Sequence, residues 1–370
     1  VAVCTKLCCD VGSAVGISNR LDIFFCKIAF MLDGSKVIVV IVGFRNPDDI
    51  ICCLTALSRL NREPRFSVFI CENGGASAYD TLLTALEQAP MASAQKPQAV
   101  APISNAFNRT HRMECGRVPV HVAEATENLG YAGGINAWVR PLMEIGGWEG
   151  LWVLNPDTEA EPQALAALIS YAQKHRKGMV GSRIMFHDNP DIVASRGLRW
   201  RRLMASTLGV DLGASVLPPP NPADIEERID SPSGASVYVT RDCLERIGLM
   251  DERYFLYFED LDWGLRAKSS CGVGYAYDSV VSHVGGSSIG SARRRADRSE
   301  LAVYLDFRNR LLFVREHYRF WLPWTVAMIA VRATEFLFVG AGANFRAAGR
   351  GILAGLRGET GRPDHIFVTL

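Results

Sequence analysis

Residues 254–267 read "YFLYFEDLDWGLRA", an aromatic run that closes on Glu259, Asp260 and Asp262 at the start of a helical pattern. Acids at a helix start complement its dipole. Two adjacent carboxylates straight after aromatic rings also form a desolvated pair, the setting that produces a general base. Asp260 is the first choice for that base, with Glu259 or Asp262 as its replacement. Asp157, in "LWVLNPDTEAEP", stands where an apolar strand has just run out. Ligands of open α/β sheets bind beyond the carboxyl ends of strands, which gives Asp157 a metal or ligand role. Glu72 and Asn73 follow "FSVFIC" in the same way, placed to offer acceptors to the donor edge of a nucleobase. In "ENLGYAGGINAW" (127–138), Gly130, Gly133 and Gly134 let backbone approach a ligand, and Asn136 is expected to open a helix. The G-x-G-x-x-G spacing of a dinucleotide fold is absent. His283 follows a strand and precedes a Gly-Ser loop, and a lone histidine carries little weight by itself.

The elements that must position these residues alternate. "VIVVIV" (37–42) is a β-branched run of the kind buried on both faces of a parallel sheet. "NPDDIICCLTALSRL" then reads as a helix with Asn46 as cap, Pro47 in the first turn and Ile50, Ile51, Leu54 and Leu57 as its apolar stripe. "FSVFIC", "VPVHVA" and "LWVL" are further strands with helices between, an alternation that predicts right-handed βαβ units. From Gly178 the pattern loosens into mixed strands that complete the sheet. Ala89–Cys115 and Ser206–Asp230 resist assignment and read as long loops.

The 370 residues are 48% hydrophobic and carry a formal net charge of +1. That excludes a disordered chain and, without a basic stripe, gives no footprint for nucleic acid. Ten cysteines are scattered without metal-knuckle spacing, so a reducing cytosol is expected. Cys52, Cys53 and Cys71 are read as small core hydrophobes. No uncharged apolar run reaches the roughly 18 residues of a membrane span. Val1–Phe30 is read as an upstream extension before Met31. The apolar tail from Phe320 to Arg350, with arginines at 332, 346 and 350 and Trp321 and Trp324 near its start, fits either helices in a membrane interface or a helical cap on the domain.

Together, "ENLGYAGGINAW", "LWVLNPDTEAEPQAL" and "SGASVYVTRDCLERIGLMDERYFLYFEDLDWGLRA" resemble the glycosyltransferase family 2 proteins, in their bacterial rhamnosyltransferase-like branch, from about Val37 to His317. The resemblance implies a GT-A fold, an α/β architecture with a mostly parallel central sheet flanked by helices. It also implies a nucleoside-diphosphate sugar donor and transfer with inversion to an acceptor hydroxyl. It places Asn155-Pro156-Asp157 at the D-x-D element, so that Asp157, with His283, would hold Mg²⁺ or Mn²⁺. Asp260 of the Glu259-Asp260 pair falls at the catalytic position and Glu72 at the position that recognises the base. Asn73, Asn128, Gly130, Gly133, Asn136, Asn155 and Gly234 fall to the nucleotide-sugar site. Arg293, Arg294 and Arg295 can close over the diphosphate or remain a solvated run. The absence of a Q-x-x-R-W motif argues against a processive synthase.

The expectation is a UDP- or dTDP-sugar transferase acting on a glycan or lipid-linked acceptor in cell-envelope biosynthesis, cytoplasmic and peripheral on the inner membrane face. Its domain spans 36–317, between an extension (1–35) and a helical tail (318–370). Its rivals are a sugar-1-phosphate nucleotidyltransferase, for which "VGFRNPDD" lacks the glycine-rich loop, and a non-catalytic membrane-bound homologue.

Overall fold

The computed structural model describes residues 32–91, 96–284 and 297–364. The proposed extension Val1–Phe30, the Gly-Ser loop and Arg293–Arg295 lie outside the described residues. In chain order the elements are β1 (Val37–Gly43), α1 (Pro47–Ser58), β2 (Phe66–Glu72), α2 (Ala76–Gln88), β3 (Gln98–Val100), β4 (Phe107–Cys115) and β5 (Val118–Ala125). Then come α3 (Gly130–Ile145), β6 (Gly150–Leu154), β7 (Thr158–Ala160), α4 (Ala164–His175), β8 (Met179–Phe186) and β9 (Asn189–Ser195). β10 (Leu198–Arg201), β11 (Ser206–Gly209), α5 (Pro222–Arg228), β12 (Ser236–Thr240), α6 (Arg241–Ile247), α7 (Glu259–Ser270) and β13 (Val273–His283) complete the sheet region. The remainder is α8 (Glu300–His317), α9 (Leu322–Phe338) and α10 (Gly342–Arg357).

The β-branched run forms β1, and every residue of it is buried. Ile38, Val40 and Val42 face one core with Phe69, Trp138 and Val153, while Val37, Val39 and Ile41 face the other with Leu54, Leu57 and Leu168. Each such side chain contributes about 1.5–3 kcal/mol relative to exposure. β5, β2, β1 and β6 run parallel at the sheet's centre, with Gly43 opposite Glu72 and Ile41 opposite Leu154. Their carboxyl ends therefore lie along one edge. β12 enters antiparallel between β6 and β8 and pairs Ser236 with Leu154, so the residues before Ser236 reach that same edge.

The segments without a sequence assignment hold regular structure. β4 pairs antiparallel with β5 and extends the sheet, and β3 pairs with β4. Phe107, Thr110, Met113 and Cys115 turn inward while polar residues face out, a pattern that Ala, Pro and Ser in the preceding stretch obscure. Within 206–230, β11 pairs with β10 as a separate ribbon, and Asn221 caps α5. Two local expectations are corrected. Asn46 precedes α1, but its Oδ1 accepts from the Phe44 amide at 2.9 Å instead of capping the helix. Cys52 is exposed on α1, one residue from the buried Cys53.

The tail packs on the domain, and no described helix is long and apolar enough to cross a membrane. Ile329, Ala333 and Phe336 of α9 and Ala347 and Ala348 of α10 join a cluster with Phe307, Leu311 and Val314 of α8. Gly351 and Gly355 let α10 rest on the α8 backbone. A Cβ at Gly351 would come within 2.5 Å of the Tyr304 carbonyl oxygen, and one at Gly355 within 2.9 Å of that of Arg308. The outward face of α9 stays apolar, with Phe320 ahead of it 85% exposed, Phe338 at its end 87% exposed, and Trp324 and Val331 also outward.

Candidate active site

The strand ends open onto a cavity of about 450 Å³, walled on the opposite side by the segment 255–261 that leads into α7. Asn73, Asn128, Gly130, Asn155, Asp157, Gly234, Glu259, Asp260 and His283 all line it, so residues up to 210 positions apart in sequence share one space.

Asp260 is partly buried at the start of α7. Its Oδ1 accepts from the Leu261 amide at 2.8 Å and its Oδ2 from the Gly234 amide at 3.2 Å. Burial raises its carboxyl above the usual aspartate value, and those N–H groups oppose the rise. Glu259 is buried, and its Oε2 has no hydrogen-bond partner. Burial first, and then the charge of Asp260, push its carboxyl well above the ordinary glutamate range. The two environments differ: Asp260 accepts from two backbone N–H groups, whereas the Glu259 Oε2 accepts from none. Asp262 does not join them. Burial would raise its carboxyl, but the hydrogen bond from His317 at 2.7 Å and the charge of Arg266 outweigh that and hold it below its usual value. Asp262 serves the packing of α7 on α8.

At the end of β6, Asp157 is buried, and its Oδ1 lies 3.1 Å from His283 Nε2 at the end of β13. At that distance the two side chains are hydrogen-bonded, and both line the cavity. The donor set, one carboxylate and one imidazole nitrogen, suits a divalent ion that takes its other ligands from phosphate and water. Among the described residues no group of three or more His, Cys, Asp and Glu gathers as a ligand set. Asn155 presents its amide nitrogen to His283 Nε2 at 3.4 Å, because its Oδ1 accepts from the Tyr131 hydroxyl at 2.9 Å.

On the β2 side, Asn73 lines the cavity and braces the glycine turn, donating to the Gly130 carbonyl at 2.9 Å and accepting from the Leu129 amide at 3.2 Å. Asn128 Oδ1 accepts from the Gly130 amide at 3.0 Å. Gly130 has φ +74°, and a Cβ there would lie 2.3 Å from the Phe255 carbonyl oxygen, so only glycine lets α3 meet the segment ahead of α7. Three sequence candidates stand off the cavity. Glu72 is buried behind it, where its Oε1 accepts from the amides of Arg45 at 3.0 Å and Gly74 at 2.8 Å and so shapes the turn carrying Phe44. Gly133 lies within α3 against Leu129. Asn136 does not open the helix, which begins at Gly130; from its middle it donates to the Met250 carbonyl and Glu252 Oε1, both at 2.8 Å.

Sequence reasoning missed Tyr131, whose hydroxyl lies within reach of Asn155 Oδ1 and the Gly234 carbonyl, and Arg298, which lines the cavity and pairs with Asp306 at 3.3 Å. The aromatic set among the glycines of "LGYAGG" was the available signal for the first. Arg298 follows a run of arginines and carries no spacing of its own.

The model of the glycosyltransferase-like family 2 matches residues 35–302, and the chain belongs to that family. The fold has the GT-A arrangement that the motifs implied, with parallel strands at the sheet's centre between flanking helices. The low-salt glycan biosynthesis hexosyltransferase Agl10 of Haloferax volcanii is 24% identical over 210 residues, 57% of this chain and 65% of that protein. The chain thus spans just under two thirds of that relative. The N-acetylglucosaminyl-diphospho-decaprenol L-rhamnosyltransferase of Mycobacterium tuberculosis is 29% identical over 224 residues, 54% of this chain and 69% of that one. Among solved structures, a mannosyltransferase from Pyrobaculum calidifontis in complex with GDP-Man and Mn²⁺ aligns with a TM-score of 0.47 at 12% identity, covering 87% of each chain.

Proposed function

We propose that this chain is an inverting, metal-dependent glycosyltransferase that moves a sugar from a UDP- or dTDP-sugar to a hydroxyl of a glycan or lipid-linked acceptor in cell-envelope biosynthesis. The observation that carries the reading is the placement of Asp260, with the buried Glu259 beside it, in the same cavity as the Asp157–His283 pair. Asp157 and His283 would hold Mg²⁺ or Mn²⁺, which supplies neutralising charge where the nucleoside diphosphate departs. Asp260, its carboxylate accepting from two backbone N–H groups, takes the proton of the incoming hydroxyl. Asn73 and Asn128 hold the Gly130 turn at the donor's side, and Gly234 ties the donor wall to the base. The likeness to two relatives, a hexosyltransferase of glycan biosynthesis and a rhamnosyltransferase of a diphospho-decaprenol, supports sugar transfer and a lipid-linked acceptor.

Binding of UDP- and dTDP-sugars with Mn²⁺ tests the reading. A donor that binds only the folded chain raises stability by about 2.7 kcal/mol at roughly 100 times its dissociation constant. Slow hydrolysis of that donor without acceptor separates a transferase from a non-catalytic homologue, which stabilises without turnover.

The acceptor side suits a membrane surface on the cytoplasmic face. Leu198 and Thr207, from β10 and β11, line the cavity. The tip of that ribbon, Leu203 and Met204, is exposed and tied to α9: Trp324 donates to the Leu203 carbonyl at 2.9 Å and Arg332 to that of Met204 at 3.4 Å. An apolar face with arginines beside it is the composition of an interfacial helix. Phe320→Ser together with Val331→Ser is expected to weaken sedimentation with anionic liposomes about tenfold, and the remaining binding should fall with salt as its arginines are screened. Full-length protein that ignores such liposomes at low salt leaves α9 as a cap alone.

A further inference from the structure

The segment ahead of the candidate base is strained. Phe255, Tyr257 and Phe258 have φ of +64°, +70° and +76°, and none is glycine. A non-glycine residue at positive φ is strained and persists only where its surroundings over-determine it. The turn ends directly at Glu259 and Asp260.

What over-determines it comes from α8. Asn309 is fully buried, does not line the cavity, and points its amide nitrogen at three carbonyl oxygens of this turn, those of Tyr254 at 2.9 Å, Leu256 at 2.7 Å and Tyr257 at 2.9 Å. Its own Oδ1 accepts from Arg308 Nε at 2.9 Å, and Arg308 donates a second bond to the Tyr254 carbonyl at 3.0 Å. From the opposite side the Tyr131 amide donates to the Phe255 carbonyl at 2.8 Å. The carbonyls from 254 to 257 therefore each meet a donor from a distant element. In ordinary backbone geometry they would point elsewhere, and α7 would start in another place.

We propose that Asn309 is the positioning residue of this site: by holding the left-handed turn 255–258 from behind, it fixes Asp260 against Gly234 and the cavity. The inference rests on the reading of Asp260 as base. Asn309→Ala takes the Asn309 donor from the carbonyls of Leu256 and Tyr257, leaves that of Tyr254 to Arg308, and so releases the turn; a displacement of about 1 Å at a reacting group costs on the order of 10²-fold in rate. With UDP- and dTDP-sugars and Mn²⁺, kcat for donor turnover should fall by about that factor while donor affinity stays within about twofold. Asn309→Gln keeps the amide and should recover about tenfold of the loss. Ile329→Ala, a core loss in the same apolar cluster as α8, should leave kcat unchanged at temperatures where it is folded. Amide exchange at 255–261 should quicken in Asn309→Ala and not in Ile329→Ala.

A folded Asn309→Ala with normal kcat, or with kcat and donor affinity falling together, overturns the proposal. Failure of both the Ala and the Gln variants to fold also overturns it, because Asn309 is then a requirement of the fold as a whole. If the wild-type chain turns over none of the donors, the transferase reading fails instead, and amide exchange alone decides: an unchanged rate at 255–261 removes the positioning role.

Discussion

Asp260→Asn is expected to lower sugar-transfer turnover by roughly 10² to 10⁴ while leaving donor affinity nearly unchanged. Asparagine keeps the shape and one acceptor, so the loss isolates proton acceptance. One of the two backbone bonds to the side chain, from Leu261 or Gly234, loses its acceptor, a change of about 1 kcal/mol in stability that a melting curve registers separately. The pH profile supplies an independent sign. Burial raises the Asp260 carboxyl, so turnover falls as the solution is acidified through a value above the roughly 3.9 of an ordinary aspartate. That acid limb should vanish in the variant. Burial and the charge of Asp260 also push the Glu259 carboxyl well above the ordinary glutamate range. Near-normal turnover by Asp260→Asn moves the assignment to Glu259, since Asp262 is committed to His317 and Arg266.

Asp157→Ala is expected to remove metal-dependent donor binding with the fold intact. The side chain lies on the cavity wall, and its partner His283 Nε2 keeps the neighbouring Asn155 amide. Loss even of an outer partner of a metal ligand costs about 10- to 100-fold in metal affinity, and loss of a carboxylate ligand at least as much. Nucleoside-diphosphate affinity measured with Mn²⁺ should fall by that factor or more, while the affinity in chelator stays where it was. An unchanged affinity with Mn²⁺ present would falsify the metal role of Asp157.

The parts of this site that the sequence disclosed were those fixed by local pattern. "VIVVIV", "FSVFIC" and "LWVL" announce buried strands, and the polar residues after them, Asn73 and Asp157, line the cavity as strand ends require. Glu72, the last residue of β2, stands off the cavity because the amides of Arg45 and Gly74 hold its carboxylate in the turns that follow the strands. Asn136 was misread for a related reason. Its polarity suggested a cap, yet it pairs across to Met250 and Glu252, a tertiary contact that no spacing reveals. β4 escaped notice because it shows polar residues on its outer face, and Asn309 because its acceptors lie some fifty residues earlier in the chain.

The reversed direction of β12 has a chemical meaning. The parallel strands β1, β2 and β6 end at this edge. β12 instead begins there, and the peptide just ahead of it turns an N–H, that of Gly234, toward Asp260. The N–H that opposes the upward shift of the Asp260 carboxyl is thus written into the polarity of the chain. Of the replacements at 234 only proline would delete that N–H; the others act through bulk, since a Cβ would come within 2.8 Å of the carboxylate it serves.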